Sequence, residues 1–360
     1  MSNSFGRIFR LTTFGESHGE VMGGVLDGCP SEIVLDVDFI KDELSRRQPK
    51  ADCGGTTRKE TDEVRFLSGV FEGKTTGAPI AFVIENKEVR SEDYAQMTNT
   101  YRPGHADFTY HQKYGHYDYR GGGRASARET VVRVVAGAIA KQVLLRYGIR
   151  FASYLSQVGT VVSPKQEYTF EEVAQCTNYP VHPSLEISAL MAIEVEKAKR
   201  AGDSVGGVVT CMIDGLPVGL GEPLYDKLQA RLAYAMMSIP AAKGFEYGCG
   251  FEAAAMRGTL HNDSFVCEGG RIKTARNLSG GILGGISTGE TVLFRTAFKP
   301  TPTISAPQQT VTHSKETVEV AYKGRHDTCL ALRAGVVVEA MAAMVVLDCV
   351  MLQQTEMHHE

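Results

Sequence analysis

The sequence predicts one large α+β domain made of two fused halves, with two long apolar helices at the centre and sheets outside them. Three observations carry this. The turn Asp27-Gly28-x-Pro30 recurs as Asp214-Gly215-x-Pro217. The block Gly73-x-x-Thr76-Gly77, ahead of an apolar strand at 80–84, recurs as Gly285-x-x-Thr288-Gly289 ahead of 292–298. Each half then closes with a polar segment and a long apolar helix, 126–147 in one and 332–352 in the other. Matched order over half the length is the mark of an internal repeat. Chance similarity between two glycine-rich turns is the competing explanation.

Taken in order, 5–13 alternates enough for a strand, which the Gly/Ser/His segment 15–19 interrupts. An apolar strand resumes at 21–26, and Asp27-Gly28-Cys29-Pro30 reads as a turn. Segment 38–47 reads as an amphipathic helix, with Phe39, Ile40 and Leu44 on one side and a basic end. Residues 48–62 are polar and rich in Gly and Thr, hence a loop, and 70–85 reads as two short strands around 73–79. Segment 91–123 is read as largely irregular, since it is rich in tyrosine and histidine and ends in Gly121-Gly122-Gly123-Arg124. Long irregular segments inside compact domains are usually functional. The 126–147 helix carries valines, isoleucine and leucine on most faces and should be buried. In the second half, a helix from about 225 to 237 follows the repeated turn.

The 360 residues are 43% hydrophobic and 22% charged, enough apolar material for a large core. A single domain over 1–352 with a polar tail at 353–360 fits the absence of any linker or low-complexity tract. The net charge of -4 supplies no global basic field, so neither nucleic acid nor a membrane surface is an expected partner. The eight cysteines show no C-x-x-C pair. They read as free thiols of a cytoplasmic protein, and no metal site is expected. The N-terminus has no apolar core of a secretion signal. The apolar stretch 334–352 is interrupted by Glu339 and Asp348, which favours a buried helix over a membrane span.

Several clusters could carry chemistry. His18 sits between glycines and beside Ser17, where backbone can approach a ligand closely. A structural histidine is the alternative. His105 lies in Arg102-Pro103-Gly104-His105-Ala106-Asp107, a rigid turn that fixes the ring direction. Arg102 supplies charge for an anion, and Asp107 either orients the imidazole or caps a helix. Gly121 to Thr130 forms a glycine run entering a helix, with Arg124, Ser126 and Arg128 as added donors. Free N–H groups and a positive dipole end make this a phosphate cradle, or else a flexible loop with a serine cap. It lacks the G-K-[ST] ending of a Walker loop. The glycine-rich 279–287 segment is not a Rossmann fingerprint. Lys299-Pro300-Thr301-Pro302-Thr303 offers a cation and hydroxyls after a strand, and Arg325-His326-Asp327 precedes the last helix. Asp327 is read as a helix cap or a proton acceptor. Arg46 and Arg47 either complement a helix C-terminus or draw an anionic substrate. Together these residues point to an enzyme acting on a small anionic molecule, and residue chemistry alone does not name it.

In these blocks the chain resembles the chorismate synthases. The resemblance covers 15–19 through Asp27-Gly28-x-Pro30, Arg46-Arg47 with Pro49, 102–107, 121–130, 238–244, 280–287, 299–301 and 324–327, in family order from about residue 5 to 350. Three departures stand out. Thr328 replaces the usual proline of the last block, Cys53 stands where some relatives carry arginine, and 261–275 is longer than in some relatives.

The resemblance implies a β-α-β sandwich, a homotetramer, and a 1,4-anti elimination of phosphate from 5-enolpyruvylshikimate 3-phosphate to give chorismate. It implies reduced FMN as cofactor. NADPH reduction of that flavin is a second reading, against supply by a separate flavin reductase. His18 is placed by the resemblance as proton donor near the departing phosphate, and His105 near flavin N1. Asp327 is placed for proton transfer near flavin N5, assisted by Ser17 and Ser126. Arg124, Ala125, Ser126, Pro240, Ala241, Gly284, Lys299 to Thr303 and Arg325 match flavin-binding positions. Arg46, Arg47, Arg102, Arg128 and Arg325 would hold substrate or cofactor anions. A non-catalytic anion- or RNA-binding protein is a third reading, disfavoured by the net charge and the lack of interleaved basic and aromatic residues.

Overall fold

Strands and helices follow one another in an order that sorts them into two antiparallel sheets. The computed structural model describes residues 3–48, 62–87, 99–164, 168–322 and 327–356. The first half holds β1 (Ser4–Phe5), β2 (Arg10–Gly15), β3 (Val21–Asp27), α1 (Val37–Arg47), β4 (Val64–Phe66), β5 (Val70–Phe71), β6 (Lys74–Thr75), β7 (Ile80–Glu85), α2 (Asp107–Tyr114) and α3 (Thr130–Leu145). The second holds β8 (Arg150–Val158), β9 (Val161–Val162), α4 (Phe170–Ala174), α5 (Leu185–Arg200), β10 (Gly207–Asp214), α6 (Leu228–Met237), β11 (Ala242–Tyr247) and α7 (Gly258–His261). It continues through the hairpins β12 (Phe265–Glu268) with β13 (Arg271–Thr274) and β14 (Ile282–Leu283) with β15 (Ile286–Ser287). It closes with β16 (Val292–Phe298), the hairpin β17 (Gln308–Val311) with β18 (Thr317–Val320), and α8 (Gly335–Glu356).

One sheet runs β1-β2-β3-β7-β4 and the other β11-β16-β10-β8-β9. Alternation sets the faces: Val292, Phe294, Thr296 and Phe298 of β16 are buried while the residues between them are not. The central strand β10 is buried continuously from Val209 to Ile213, because its other face is covered too: Met212 packs with Phe170 and Val173 of α4.

Helices α3 and α8 pack on each other at the centre of the core. Their backbones come so close at Gly137 that a Cβ there would overlap Ala340. Toward the first sheet, Val132 of α3 fills the space above Gly24 of β3. Toward the second, α8 lies on β8 and β10. The two charges that interrupt the apolar pattern of α8 are both satisfied inside. Asp348 accepts backbone N–H groups from Ile8 at 2.7 Å, Phe9 at 3.0 Å and Arg7 at 3.2 Å, and pairs with Arg231. Glu339 bonds Arg46, Lys141 and Ser153.

Three expectations change. The run 5–13 is not one strand: residues 7–9 wrap the Asp348 carboxylate, and pairing resumes at Arg10. The described part of 91–123 holds one regular element that the reading did not foresee, α2 at 107–114. Its low apolar periodicity concealed it from sequence, as one face stays in solvent with Phe108 exposed. The last helix continues through Glu356, so part of the expected polar tail is helical. Within 261–275, Phe265–Thr274 form the β12–β13 hairpin.

Candidate active site

The loop between β2 and β3 carries Ser17 and His18, both nearly fully buried. It is closed by the Gly19 N–H donating to Glu16 O at 3.0 Å. Asn86, just after β7, ties it down by donating to Glu16 O at 3.0 Å and Gly19 O at 2.9 Å. Ser17 Oγ lies 3.2 Å from His18 Nδ1 and donates to Arg120 O at 3.3 Å.

The glycine run packs directly on both histidines. Gly121, Gly122 and Gly123 all adopt positive φ, at 59°, 84° and 51°. Such backbone strongly favours glycine, and space requires it as well. A Cβ on Gly121 would overlap the His18 ring, and one on Gly122 would lie 3.0 Å from His105 Cε1 and 3.1 Å from its Nε2. Two residues 87 positions apart in sequence are thus brought against two consecutive glycines.

His105 is oriented by local chemistry. Its Nδ1 lies 2.7 Å from Asp107 Oδ1, and Arg102 grips the same carboxylate through Nε and Nη2, each at 2.7 Å. Of the two roles open to Asp107, orienting the histidine is the one observed. Its side chain does not cap α2, whose first turn has no side-chain cap. Burial lowers the His105 pKa, with Arg102 and Lys299 adding to the effect against the pull of Asp107. Burial opposes ionisation of Asp107, but hydrogen bonds from Arg102 and His105 outweigh it and hold the carboxyl well below its usual range. The lowered value favours the neutral imidazole; Arg102 Nη2 lies 3.0 Å from its Nδ1, and the acceptor-only carboxylate calls for the proton on that nitrogen, with Nε2 toward the glycines. The β17–β18 hairpin backs this segment through the Tyr101 N–H donating to Val311 O at 3.2 Å.

A second group of charges adjoins the first through Asn86, whose Oδ1 accepts from Arg128 Nε at 3.1 Å. Asp62, fully enclosed, binds Arg128 Nη1 on one oxygen and Arg47 Nη2 at 2.9 Å on the other. Burial would raise the Asp62 pKa, but the two guanidiniums reverse that and lower it. Burial also lowers the Arg47 pKa, and repulsion from Arg333 and Arg128 adds to this against Asp62. Arg333 in turn holds Asp327. Arg47, Arg128 and Arg333 thus gather with Asp62 and Asp327 in one largely buried charge cluster. Guanidiniums gathered in this way are the groups that stabilise a growing anionic charge.

The flavin-matching positions 299–303 lie beside the His105 turn. Lys299 donates its N–H to Ala241 O at 3.0 Å and its Nζ to Gly104 O, and Pro302 faces Gly104. Burial lowers the Lys299 pKa, and Lys243 adds to it. Ala241, next to Pro240, holds φ at 69°, a strained value for a residue with a side chain. Thr303 is buried, and Thr301 Oγ1 is buried with no hydrogen-bond partner among the described residues. Ser126 Oγ accepts the Arg128 N–H at 3.3 Å, while Arg124 spans back to Thr13 Oγ1 at 2.7 Å and Gly15 O at 3.2 Å. Ala125, between them, ends the short 3-10 segment Arg120–Ala125. Arg124 lines a cleft of about 610 Å³ together with Thr13, Glu16, Tyr110 and Ser238.

One expected residue, Arg46, is engaged elsewhere. Arg46 is turned away from Arg47 and donates to Glu43 at 2.5 Å and to both oxygens of Glu339 at 2.9 and 2.6 Å. Gly284 sits at the tip of the β14–β15 hairpin, and its neighbour Gly285 accepts from Leu228 in the first turn of α6. Pro240 and Ala241 follow the last turn of that helix. Arg325, His326 and Cys53 lie outside the described residues. Asp62, Asn86 and Arg333 were missed from sequence, and no local pattern marks any of them.

A family model described as chorismate synthase matches residues 9–351. The chorismate synthase of Porphyromonas gingivalis is 54% identical over 96% of this chain and 95% of its own length. That of Phocaeicola vulgatus is 51% identical over 99% of both. A solved structure described as a crystal structure of chorismate synthase superposes with a TM-score of 0.76 at 30% identity, over 97% of this chain and 93% of its own. With matches of this depth along nearly the whole length, the chain belongs to the chorismate synthase family, phosphate-eliminating lyases of the shikimate pathway.

Proposed function

We propose that the histidines on the glycine run and the arginines around Asp62 form one site, which binds reduced FMN and 5-enolpyruvylshikimate 3-phosphate. The carrying observation is that Gly121 and Gly122 seat His18 and His105 side by side, while Asn86 joins the His18 loop to Arg128. Residues 299–303 and Ala241 fit the cofactor. The orphaned Thr301 hydroxyl and the strained Ala241 backbone are features that a ligand would compensate.

In the elimination, the C6–H electron pair forms the C6–C1 double bond, the ring double bond moves to C2–C3, and phosphate leaves C3 with its bonding pair. Reduced flavin, when bound, lends electron density that eases departure of the phosphate. Arg47 and Arg128 stabilise the charge that grows on the leaving oxygens. His18 gives a proton to the phosphate, with Ser17 fixing the ring at Nδ1. Neutral His105 directs Nε2 to the cofactor edge, held there by Asp107. Asp327 takes the proton released at C6, with Ser126 assisting. Arg102 serves as an anchor for Asp107 more than as an anion ligand, and Arg46 serves the core.

The finer architecture is read as a β-α-β sandwich of two repeated halves in a single domain over 1–352. Supporting this, Thr75 Oγ1 donates to Pro30 O and accepts from Ile33, as Ser287 Oγ does with Pro217 O and Leu220. A homotetramer accords with the exposed Leu224, Tyr225, Phe251 and Ile272. The cytoplasm accords with free thiols at the seven described cysteines. One experiment tests the function: anaerobic incubation with chemically reduced FMN and 5-enolpyruvylshikimate 3-phosphate should yield chorismate and phosphate in equal amounts, and no product would refute it. NADPH oxidation by the pure protein with FMN decides the flavin-reductase reading.

A further inference from the structure

Arg333 closes the short 3-10 turn Leu330–Arg333 that leads into α8. Its side chain is largely buried, and its Nη2 donates to Asp327 Oδ2. Its charge reaches Arg47, on which it presses alongside Arg128. Its Nε is buried with no hydrogen-bond partner among the described residues. A guanidinium placed this way is expensive unless something answers its remaining donor. It holds the carboxylate read as proton acceptor, and its charge is felt at Arg47, one of the arginines read as the phosphate cradle.

We propose that Arg333 is a positioning residue for the elimination: it fixes the Asp327 carboxylate for the C6 proton and adds a third guanidinium to the anion cradle. The inference rests on the functional reading above. The fork of an arginine can hold a carboxylate with one nitrogen while directing another donor elsewhere, which the point charge of a lysine cannot reproduce. Loss of the fork would let Asp327 rotate away. Cys329, which lies near enough to feel the Asp327 charge, is a protonated thiol, raised to about 11 chiefly by burial, and supplies no compensating cation. Proton removal at C6 would then slow more than phosphate binding weakens.

The test uses full-length Arg333→Gln and Arg333→Lys with reduced FMN under anaerobic conditions. Each is run on substrate carrying protium or deuterium at C6. For Arg333→Gln, kcat should fall about 10- to 100-fold, KM for the phosphate ester should rise, and the deuterium isotope effect on kcat should exceed that of the wild type. Arg333→Lys should restore much of KM, because charge remains, but keep the enlarged isotope effect. If either folded variant shows wild-type kcat and isotope effect with only a lower Tm, the residue is structural and the proposal is overturned. Should Arg333→Gln fail to fold, the isotope effect of the lysine variant alone decides between a positioning and a structural role. Wild-type turnover in the same assay separates the two readings. Its absence removes the functional reading and this one with it, whereas its presence beside unchanged variants removes this one only.

Discussion

Replacing Gly121 by alanine strikes the site where its two histidines are held. The residue has φ at 59°, and an added Cβ would run into the His18 ring and lie 2.7 Å from Ser17 Oγ. The backbone term alone is about 1 kcal/mol, the usual cost of a left-handed alanine. Relieving the overlap requires His18 to leave its rotamer, about 0.5–1.5 kcal/mol more, or the loop to move. A displacement near 1 Å at a catalytic group costs on the order of 100-fold in rate. Gly73→Ala supplies the control. Its φ is 74°, yet nothing lies within 4 Å of the added carbon. It should lose the same backbone term, about 1 kcal/mol, and keep full activity. Gly122→Ala should fall between them, since its Cβ meets His105 at 3.0 Å and a small shift relieves it. Urea unfolding and anaerobic turnover measured on all three variants decide the matter. Wild-type turnover in Gly121→Ala, with a stability loss no larger than that of Gly73→Ala, would refute the packing of His18 on the glycine run.

His18→Ala and His105→Ala should each reduce turnover at least about 10-fold while far-UV circular dichroism and urea midpoint stay near wild type; full rates from either would remove the assigned role. Glu339→Gln should cost about 3–5 kcal/mol in urea unfolding, because the buried Lys141 and the partly exposed Arg46 are left with Glu43 alone. A loss below about 1 kcal/mol, of the surface-pair size, would contradict that. His105 and His182 have pKa values lowered mainly by burial, so the unfolded chain takes up protons that the native one does not. Their stabilising effect is complete above about pH 6.5 and is lost as pH falls from there toward the folded values. Tm should therefore drop on acidification below about pH 6.5, and His182→Gln should flatten the drop.

Legibility in the sequence followed locality. His18 and His105 stand out because glycine and proline around them fix the backbone over a few residues, and the Arg102–Asp107 grip on His105 spans only five positions. The same holds for the glycine run, whose positive φ values belong to the residues themselves. Arg46 and Arg47 illustrate the opposite case. They are adjacent on a helix, hence about 100° apart around its axis, and nothing in the sequence says which one faces the site. The fold turns Arg47 to Asp62 and Arg46 to Glu339, 293 residues away. Asp62 and Asn86 were invisible for the same reason, as their partner Arg128 lies 66 and 42 residues away. Arg333 bonds Asp327 six positions off, but its electrostatic reach to Arg47 is set by the fold.

The two long apolar helices, the glycine-rich turns and the histidine motifs could be read before any coordinates, since periodicity and φ preference are properties of short stretches. Which cation meets which carboxylate had to wait for the tertiary structure. Buried charges choose partners by proximity in a low-dielectric interior, and only the packing of α1, α3 and α8 against the sheets sets those distances. Thus the sequence supplied the chemical groups, and the fold decided which arginine answers Glu339 and which gather around Asp62.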